Sequence, residues 1–374
     1  MDRKRCIFHI PYKVSPDIVS GSHIRPLKML NAFKNIGYDV DVVMGYGQER
    51  EESIKNIKKN IENGVKYDFL YAESSTMPTL LTEKNHIPKY PFLDFSFFKY
   101  CKSHNIKIGL FYRDIHWKFE QYKNNVGTAK RIISTMFYNY DLKKYKELVD
   151  VLYLPSKEMF KYLEIDFNGK IEELPPGSEK NDSVDLVKYK SDDYLNIFYV
   201  GGISTELYDI RELFKVANEL PWIKLTVCCR EGDWNNVADA YLNYLNERIS
   251  IIHKSGEELY PYVKKADILN LFIRPTEYWE FAVPVKLFTY ISYKKPIISA
   301  KNTVTGNFVE KNNIGWSIDY SKEELIKMLT ELKNNRKEIL EKTSNMEKVL
   351  EENTWNSRAK KVVKDLLAME QGGK

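Results

Sequence analysis

The sequence is poor in the features that usually betray a function. Four cysteines occur in 374 residues: Cys6, Cys101, Cys228 and Cys229. Their spacing fits neither a zinc site nor a disulfide framework, so they read as core thiols of a protein in a reducing, cytoplasmic compartment. No run approaches the roughly 20 apolar residues of a membrane span. The start, MDRKRCIFHIPYK, lacks the apolar stretch of a signal peptide. Any membrane contact is therefore expected to be peripheral. P-loop, HExxH and GxSxG patterns are all missing. Gly45-Tyr46-Gly47 is no dinucleotide fingerprint, because it follows the second predicted strand and not the first. Asp39-Val40-Asp41 has the DxD form of metal-dependent sugar transferases. It falls inside a predicted strand, where alternation puts both carboxylates on one face, and no metal is expected there. A large charge excess is also lacking. The net charge of +5 hints at anionic ligands or an anionic surface and gives no footprint for nucleic acid.

What remains is an ordinary globular composition, with 43% hydrophobic and 29% charged residues, on a chain long enough for two domains. Short β-rich bursts at 6–10, 38–44, 67–73, 106–113, 150–155 and 170–175 alternate with amphipathic segments such as HIRPLKMLNAFKNIG. A polar stretch over 178–193 interrupts the alternation. It then restarts with bursts at 195–202, 223–229, 249–256, 268–275, 295–300 and 315–320. Strands alternating with helices imply parallel sheets, so the expected architecture is α/β with two Rossmann-like, doubly wound domains. The expected boundaries are 1–180 for the first domain, 181–193 for the linker, 194–350 for the second domain and 351–374 for a final helical segment. Asn353 or Thr354 would cap that last helix. In such domains ligands bind in the crevice at the carboxyl ends of the strands, and two in series place a ligand in the cleft between them.

Candidate site residues are those that follow strands. The loop after the first strand ends in Ser20, Gly21 and Ser22 at a helix start, which suits an anion or a close backbone approach; the plain alternative is a turn with Ser22 as N-cap. After the fourth strand come Arg113, Asp114 and His116, and Asp114 or His116 could orient an acceptor hydroxyl or take its proton. The plain alternative there is a salt-bridged loop with a capping Asp. In the second half a strand ends in Gly201 and Gly202. Arg230 and Arg274 follow two further strands, and Lys286 opens a helix, so the three could together neutralise a pyrophosphate. The helix over 128–150 carries Ile132, Ile133, Met136, Phe137 and Tyr140 beside Lys130, Arg131, Lys143, Lys144 and Lys146. It reads either as a core helix with a solvated basic face or as a surface for anionic lipid headgroups.

The stretch PVKLFTYISYKKPII, from Pro284 to Ile298, resembles the PxKxFEYLAxGKPVI signature in the donor half of bacterial GT-B glycosyltransferases akin to glycosyltransferase family 4. The match runs through Pro284, Lys286, Phe288, Tyr290, Lys295 and Pro296. VTGNFVEKNNIGW resembles the segment that follows it, and SGSHIRPLKMLNAFKNIGYDVDVV resembles the family's first βα unit. The resemblance implies a GT-B fold, two Rossmann-like domains facing a central cleft, with a C-terminal helix crossing back to the first domain. It also implies transfer of a sugar from a nucleotide-sugar donor on the second domain, UDP-linked in preference to GDP-linked. No metal would be needed and the anomeric configuration would be retained. The acceptor would be a lipid-linked saccharide in surface polysaccharide synthesis, such as capsule, at the inner face of the cell membrane. Two positions depart from the signature. Thr289 stands where the family has the Glu that holds the donor ribose. ISTELYD follows the Gly-Gly turn where relatives carry Arg and Lys, which leaves the phosphate grip to Arg230, Arg274 or Lys286. These departures keep open a catalytically silent GT-B subunit that binds a partner transferase or glycan, and a nucleotide-sugar epimerase. An inverting reaction with Asp114 or His116 as base stays open as well.

Overall fold

The computed structural model describes residues 4–15, 21–180 and 193–371. The chain divides into two compact units. The first ends at Gly177 and takes up the chain again from Trp355; the second spans Ser178–Thr354. Residues 181–192, most of the expected linker, lie outside the described residues.

The first unit contains strands β1 (Arg5–Ile10), β2 (Asp39–Met44), β3 (Phe69–Glu73), β4 (Lys107–Phe111), β5 (Val151–Leu154) and β6 (Lys170–Glu173). All pair in parallel, in the order β2-β1-β3-β4-β5-β6. Helices α1 (Gly21–Asn35), α2 (Gly47–Glu62), α3 (Leu93–Ser103), α4 (Glu120–Asn125), α5 (Thr128–Leu148) and α6 (Phe160–Leu163) lie between them. In β1 the period of two sends Cys6, Phe8 and Ile10 to one face of the sheet. There they meet Met29, Leu30 and Phe33 of α1. On the other face His9 lies against α3, its ring edge-on to Phe98 at 4.9 Å. His9 Nε2 is 2.8 Å from Asp94 Oδ1, and Arg50 of α2 binds both Asp94 oxygens at 3.0 and 3.1 Å. Burial pushes the Asp94 carboxyl up, but His9 and Arg50 outweigh it and leave it below its usual range.

The second unit contains β7 (Leu195–Val200), α7 (Arg211–Glu219), β8 (Ile223–Cys228), α8 (Glu231–Val237), β9 (Ile249–Ile252), α9 (Tyr260–Lys265) and β10 (Ile268–Leu271). It continues with α10 (Val285–Ser292), β11 (Ile297–Ala300), α11 (Val304–Lys311), β12 (Gly315–Ile318), α12 (Lys322–Asn334) and α13 (Lys337–Glu352). Its sheet is again wholly parallel, in the order β12-β11-β10-β7-β8-β9. Every β-rich burst of the sequence forms a strand.

Helix α14 (Trp355–Gln371) belongs to the first unit. Its Ala359, Val362 and Leu366 recur at helical spacing and enter the core built from β1, β3 and α1. It begins later than the expected segment at 351 because α13 continues to Glu352, and Thr354 takes the N-cap position.

Each sheet has one place where the strand order turns back on itself, between β1 and β3 in the first and between β7 and β10 in the second. Loops leaving the carboxyl ends of these strands diverge to opposite faces and open a crevice. Those two places are where the candidate residues can be tested.

Candidate active site

At the switch point of the second sheet, β7 ends and the chain turns through Gly201 and Gly202. Gly201 has φ +142° and touches Lys286: a Cβ there would lie 2.7 Å from Lys286 Nζ. Only glycine combines that backbone with that approach. Lys286 reaches the turn from the second residue of α10, a helix that starts directly after Pro284 in extended conformation. Its Nζ donates to Tyr199 Oη at 2.8 Å and stands 4.5 and 4.6 Å from the ring centroids of Tyr199 and Tyr208. Those ring faces favour a cation.

Several side chains fix this arrangement. The Tyr199 hydroxyl also donates to Gly202 O, so one buried phenol ties the turn to the lysine. The Tyr290 hydroxyl, one turn along α10, accepts from Val200 N–H at 3.0 Å. Trp279 Nε1 donates to Leu207 O at 2.8 Å, and its ring meets Tyr208 edge-on. Among the described residues Lys286 makes no ion pair. Burial alone pushes its ammonium down to about 7. A half-buried cation between aromatic walls, with no ion pair among the described residues, favours an anion beside it.

The other donor-side candidates lie differently. Arg230 is 77% exposed, and its Nε binds Asp233 Oδ2 at 2.9 Å. Asp233 itself approaches Gly202, so Arg230 reaches the turn only through a carboxylate. Arg274 lines a separate cavity of about 690 Å³ with Arg211, Lys215, Tyr320 and Lys322. The three cations expected to act together therefore do not form one group; Lys286 alone stands at the glycine turn. Thr289 Oγ1 bonds back to Val285 O at 3.3 Å within its own helix. Lys295, matched to the signature, is fully buried and donates to Ala266 O at 2.6 Å; burial pushes it down to about 8. Its role is to anchor the α10–β11 corner.

At the switch point of the first sheet the cations are compensated. Glu73 closes β3 and is wholly buried. Arg113 binds its Oε2 at 2.8 Å and also donates to Gly21 O at 3.1 Å and Tyr12 Oη at 3.2 Å. Arg25 Nε lies 3.2 Å from Glu73 Oε1, and its guanidinium covers the Phe111 ring at 3.5 Å. Tyr12 in turn donates to Ser22 O at 2.6 Å. The structure thus brings Arg113, Gly21 and Ser22 together. α1 begins at Gly21, so Ser22 lies in its first turn and not at the N-cap; Ser20 lies outside the described residues. Glu73, Arg25 and Tyr12 escaped the sequence reading because a charge inside a helix or at a strand end looks solvated until its partner is known.

Asp114 Oδ1 accepts from the backbone N–H groups of Ile115 and His116 at 2.7 and 3.0 Å, the capping arrangement of a short turn. Its Oδ2 stays 3.8 Å from His116 Nδ1, beyond hydrogen-bond reach. Burial holds the His116 imidazole below its ordinary pKa, against an opposing pull from Asp114. His116 sits edge-on to Tyr122 and Tyr138 and keeps partial exposure. It can act as a proton acceptor; Asp114 is mainly a turn-former. The two carboxylates of the DxD stretch are engaged by Arg5 and Tyr67.

With this geometry in view, comparisons with known proteins are informative. Residues 273–363, from the end of β10 into α14, match the family described as Glucosyltransferase 3-like, C-terminal domain. No curated protein matches the sequence. Among solved structures, Anabaena HepE in complex with UDP is similar over 98% of this chain and 100% of its own, with 10% identity and a TM-score of 0.63. A glycosyltransferase from Rickettsia africae is similar over 97% and 99%, with 14% identity and a TM-score of 0.59. A UDP-forming α,α-trehalose-phosphate synthase from Burkholderia xenovorans, in complex with glucose-6-phosphate, is similar over 97% and 99%, with 10% identity and a TM-score of 0.59. The fold is that of GT-B glycosyltransferases, two six-stranded parallel sheets each flanked by helices, and the family match falls on the later part of the second unit and the start of α14.

Proposed function

We propose that this chain is a glycosyltransferase that takes a sugar from a UDP-sugar held by the second unit and passes it to a hydroxyl of a saccharide acceptor. One observation carries the reading: Lys286, with no ion pair among the described residues, stands beside Gly201 at the switch point of a Rossmann-ordered sheet. The UDP of the HepE complex and the UDP-forming reaction of the trehalose-phosphate synthase support the choice of nucleotide.

The chemistry follows from the charges. The bond between the anomeric carbon and the diphosphate oxygen breaks with its electron pair on the departing oxygen, while the acceptor oxygen bonds the anomeric carbon. The Lys286 ammonium meets the charge that develops on the diphosphate, a stabilisation worth most where water is excluded. The proton of the acceptor hydroxyl goes to a departing phosphate oxygen if configuration is retained, the course the family resemblance favours. An inverting course would need a protein base instead, the role the sequence offers to Asp114 or His116. The finer assignment, a lipid-linked acceptor in surface polysaccharide synthesis without a metal, rests on the resemblance of PVKLFTYISYKKPII.

Calorimetry with UDP, GDP and their sugars tests the reading, together with transfer to lipid-linked and soluble saccharides in the presence of EDTA. UDP binding that weakens in Lys286→Ala is expected; equal binding by wild type and variant would remove the assignment. Thr289, bonded back to its own helix, favours a second reading in which the chain is a silent subunit. Absence of any nucleotide binding at millimolar concentration would select it.

A further inference from the structure

Large apolar side chains exposed among the described residues are unevenly distributed. Six of eight lie between Met77 and Met136 of the first unit: Met77, Ile87, Phe92, Ile132, Ile133 and Met136, with Phe92 74% and Ile132 64% exposed. Helix α5 explains the clustering. Its Ser134, Tyr138, Asp141, Leu142 and Tyr145 are buried against the unit, so positions 132, 133, 136, 140 and 143 fall on its outer side. That outer side is apolar over its first two turns, where a solvated helix would be polar. It continues into a groove of about 610 Å³ between α3 and α5, lined by Phe92, Phe95 and Tyr140 and rimmed by Lys99, Lys102 and Lys144.

Charge on this surface has one dominant sign. Lys99 and Lys102 at the groove and Lys130 and Lys143 of α5 are exposed. Lys99, Lys130 and Lys143 make no ion pair among the described residues, and Glu147 is engaged by Lys144 at 2.7 Å. We infer that the outer side of α5, with the groove against α3, docks on an anionic lipid bilayer. Ile132, Ile133, Met136 and Phe92 enter the headgroup–acyl boundary while the lysines meet lipid phosphates. A second copy of the chain fits less well, because a twofold contact would press this lysine-rich surface against itself. The inference concerns the first unit and does not rest on the donor assignment to Lys286.

Co-sedimentation of the full chain with phosphatidylcholine vesicles, with and without phosphatidylglycerol, tests it. Binding is expected only with phosphatidylglycerol and is expected to weaken as salt rises. Lys99→Gln, Lys130→Gln and Lys143→Gln together should lower partitioning by about a hundredfold. Ile132→Ser, Ile133→Ser and Met136→Ser together should lower it by about tenfold or more. Both variants should keep the wild-type melting temperature and UDP-sugar turnover on a soluble acceptor, since the altered side chains are exposed. Equal binding to neutral vesicles, or none to anionic ones, overturns the inference. So does a concentration-dependent dimer that the triple serine variant abolishes, which would make the occupant a second copy.

Discussion

At the switch point of the first sheet Glu73 stands between Arg25 and Arg113; at the switch point of the second Lys286 stands beside a glycine turn and makes no ion pair among the described residues. The two strand orders differ, but each reverses once, and the electrostatics at the two reversals are opposite. In the first unit the protein supplies its own anion, and the cluster ties β3, β4 and α1 together as structure. In the second unit the cation is held by two tyrosines, and the proposed function gives it the donor diphosphate as its anion. Parallel strand order makes a crevice in both cases; the counter-ion decides which crevice is a candidate for chemistry.

The largest effect that would sharpen this contrast is on stability. Glu73→Ala leaves two buried guanidinium groups without their carboxylate and should cost about 3–5 kcal/mol, read as a lower denaturant midpoint. Lys286→Ala should lower the midpoint far less, because the charged ammonium is held there by neutral partners and without an ion pair among the described residues. The sign is definite: the folded pKa is depressed to about 7, so the unfolded chain binds the extra proton above that value. Stability from this group is therefore recovered as pH rises from about 7 towards 10. A Lys286→Ala variant as destabilised as Glu73→Ala would erase the distinction between the two clusters.

Next comes activity. Lys286→Ala should lower kcat/KM for a UDP-sugar by about a hundred- to a thousandfold, with the acceptor KM unchanged. A smaller, pH-dependent effect follows from the same group. A bound diphosphate holds the proton on Lys286, so donor binding takes up a proton above pH 7. Affinity should be flat below about pH 7 and fall by about tenfold per unit above it, and calorimetry in buffers of different ionisation enthalpy reads the uptake directly. A flat profile to pH 9 would mean the lysine is not at the phosphate. The smallest effect is expected for Tyr199→Phe. It removes the hydroxyl shared by Lys286 and Gly202 and should raise the donor KM about two- to tenfold. The inflection of the pH profile should move as well, which loss of packing alone would not do.

The fold was legible almost throughout, because period-2 bursts of Val, Ile, Leu, Phe and Tyr are local signals, and each forms a strand. That Gly201 and Gly202 follow a strand and that Lys286 opens a helix was legible too, since strand ends are read from the same pattern. Arg230 and Arg274 were placed at strand ends with equal reason, and their side chains went elsewhere. Asp233 captured one, and the wall of another cavity received the other. Strand position tells where a backbone points; it does not tell which neighbour a flexible cation will find. Glu73 and Asp94 could not be read as buried at all, because each is stabilised by arginines distant in sequence.

By itself the sequence determined two parallel, doubly wound sheets, the strand ends that bear glycines, and a last helix with an apolar stripe. These follow from periodicity and from the conformations that glycine and proline permit or forbid. Only the tertiary structure decided that Lys286 makes no ion pair among the described residues while Arg25 and Arg113 share Glu73, and that the apolar outer side of α5 meets a lysine-rimmed groove. Each of those depends on which charges and faces long-range packing brings within a few ångströms, and Coulomb and desolvation energies are set at that range.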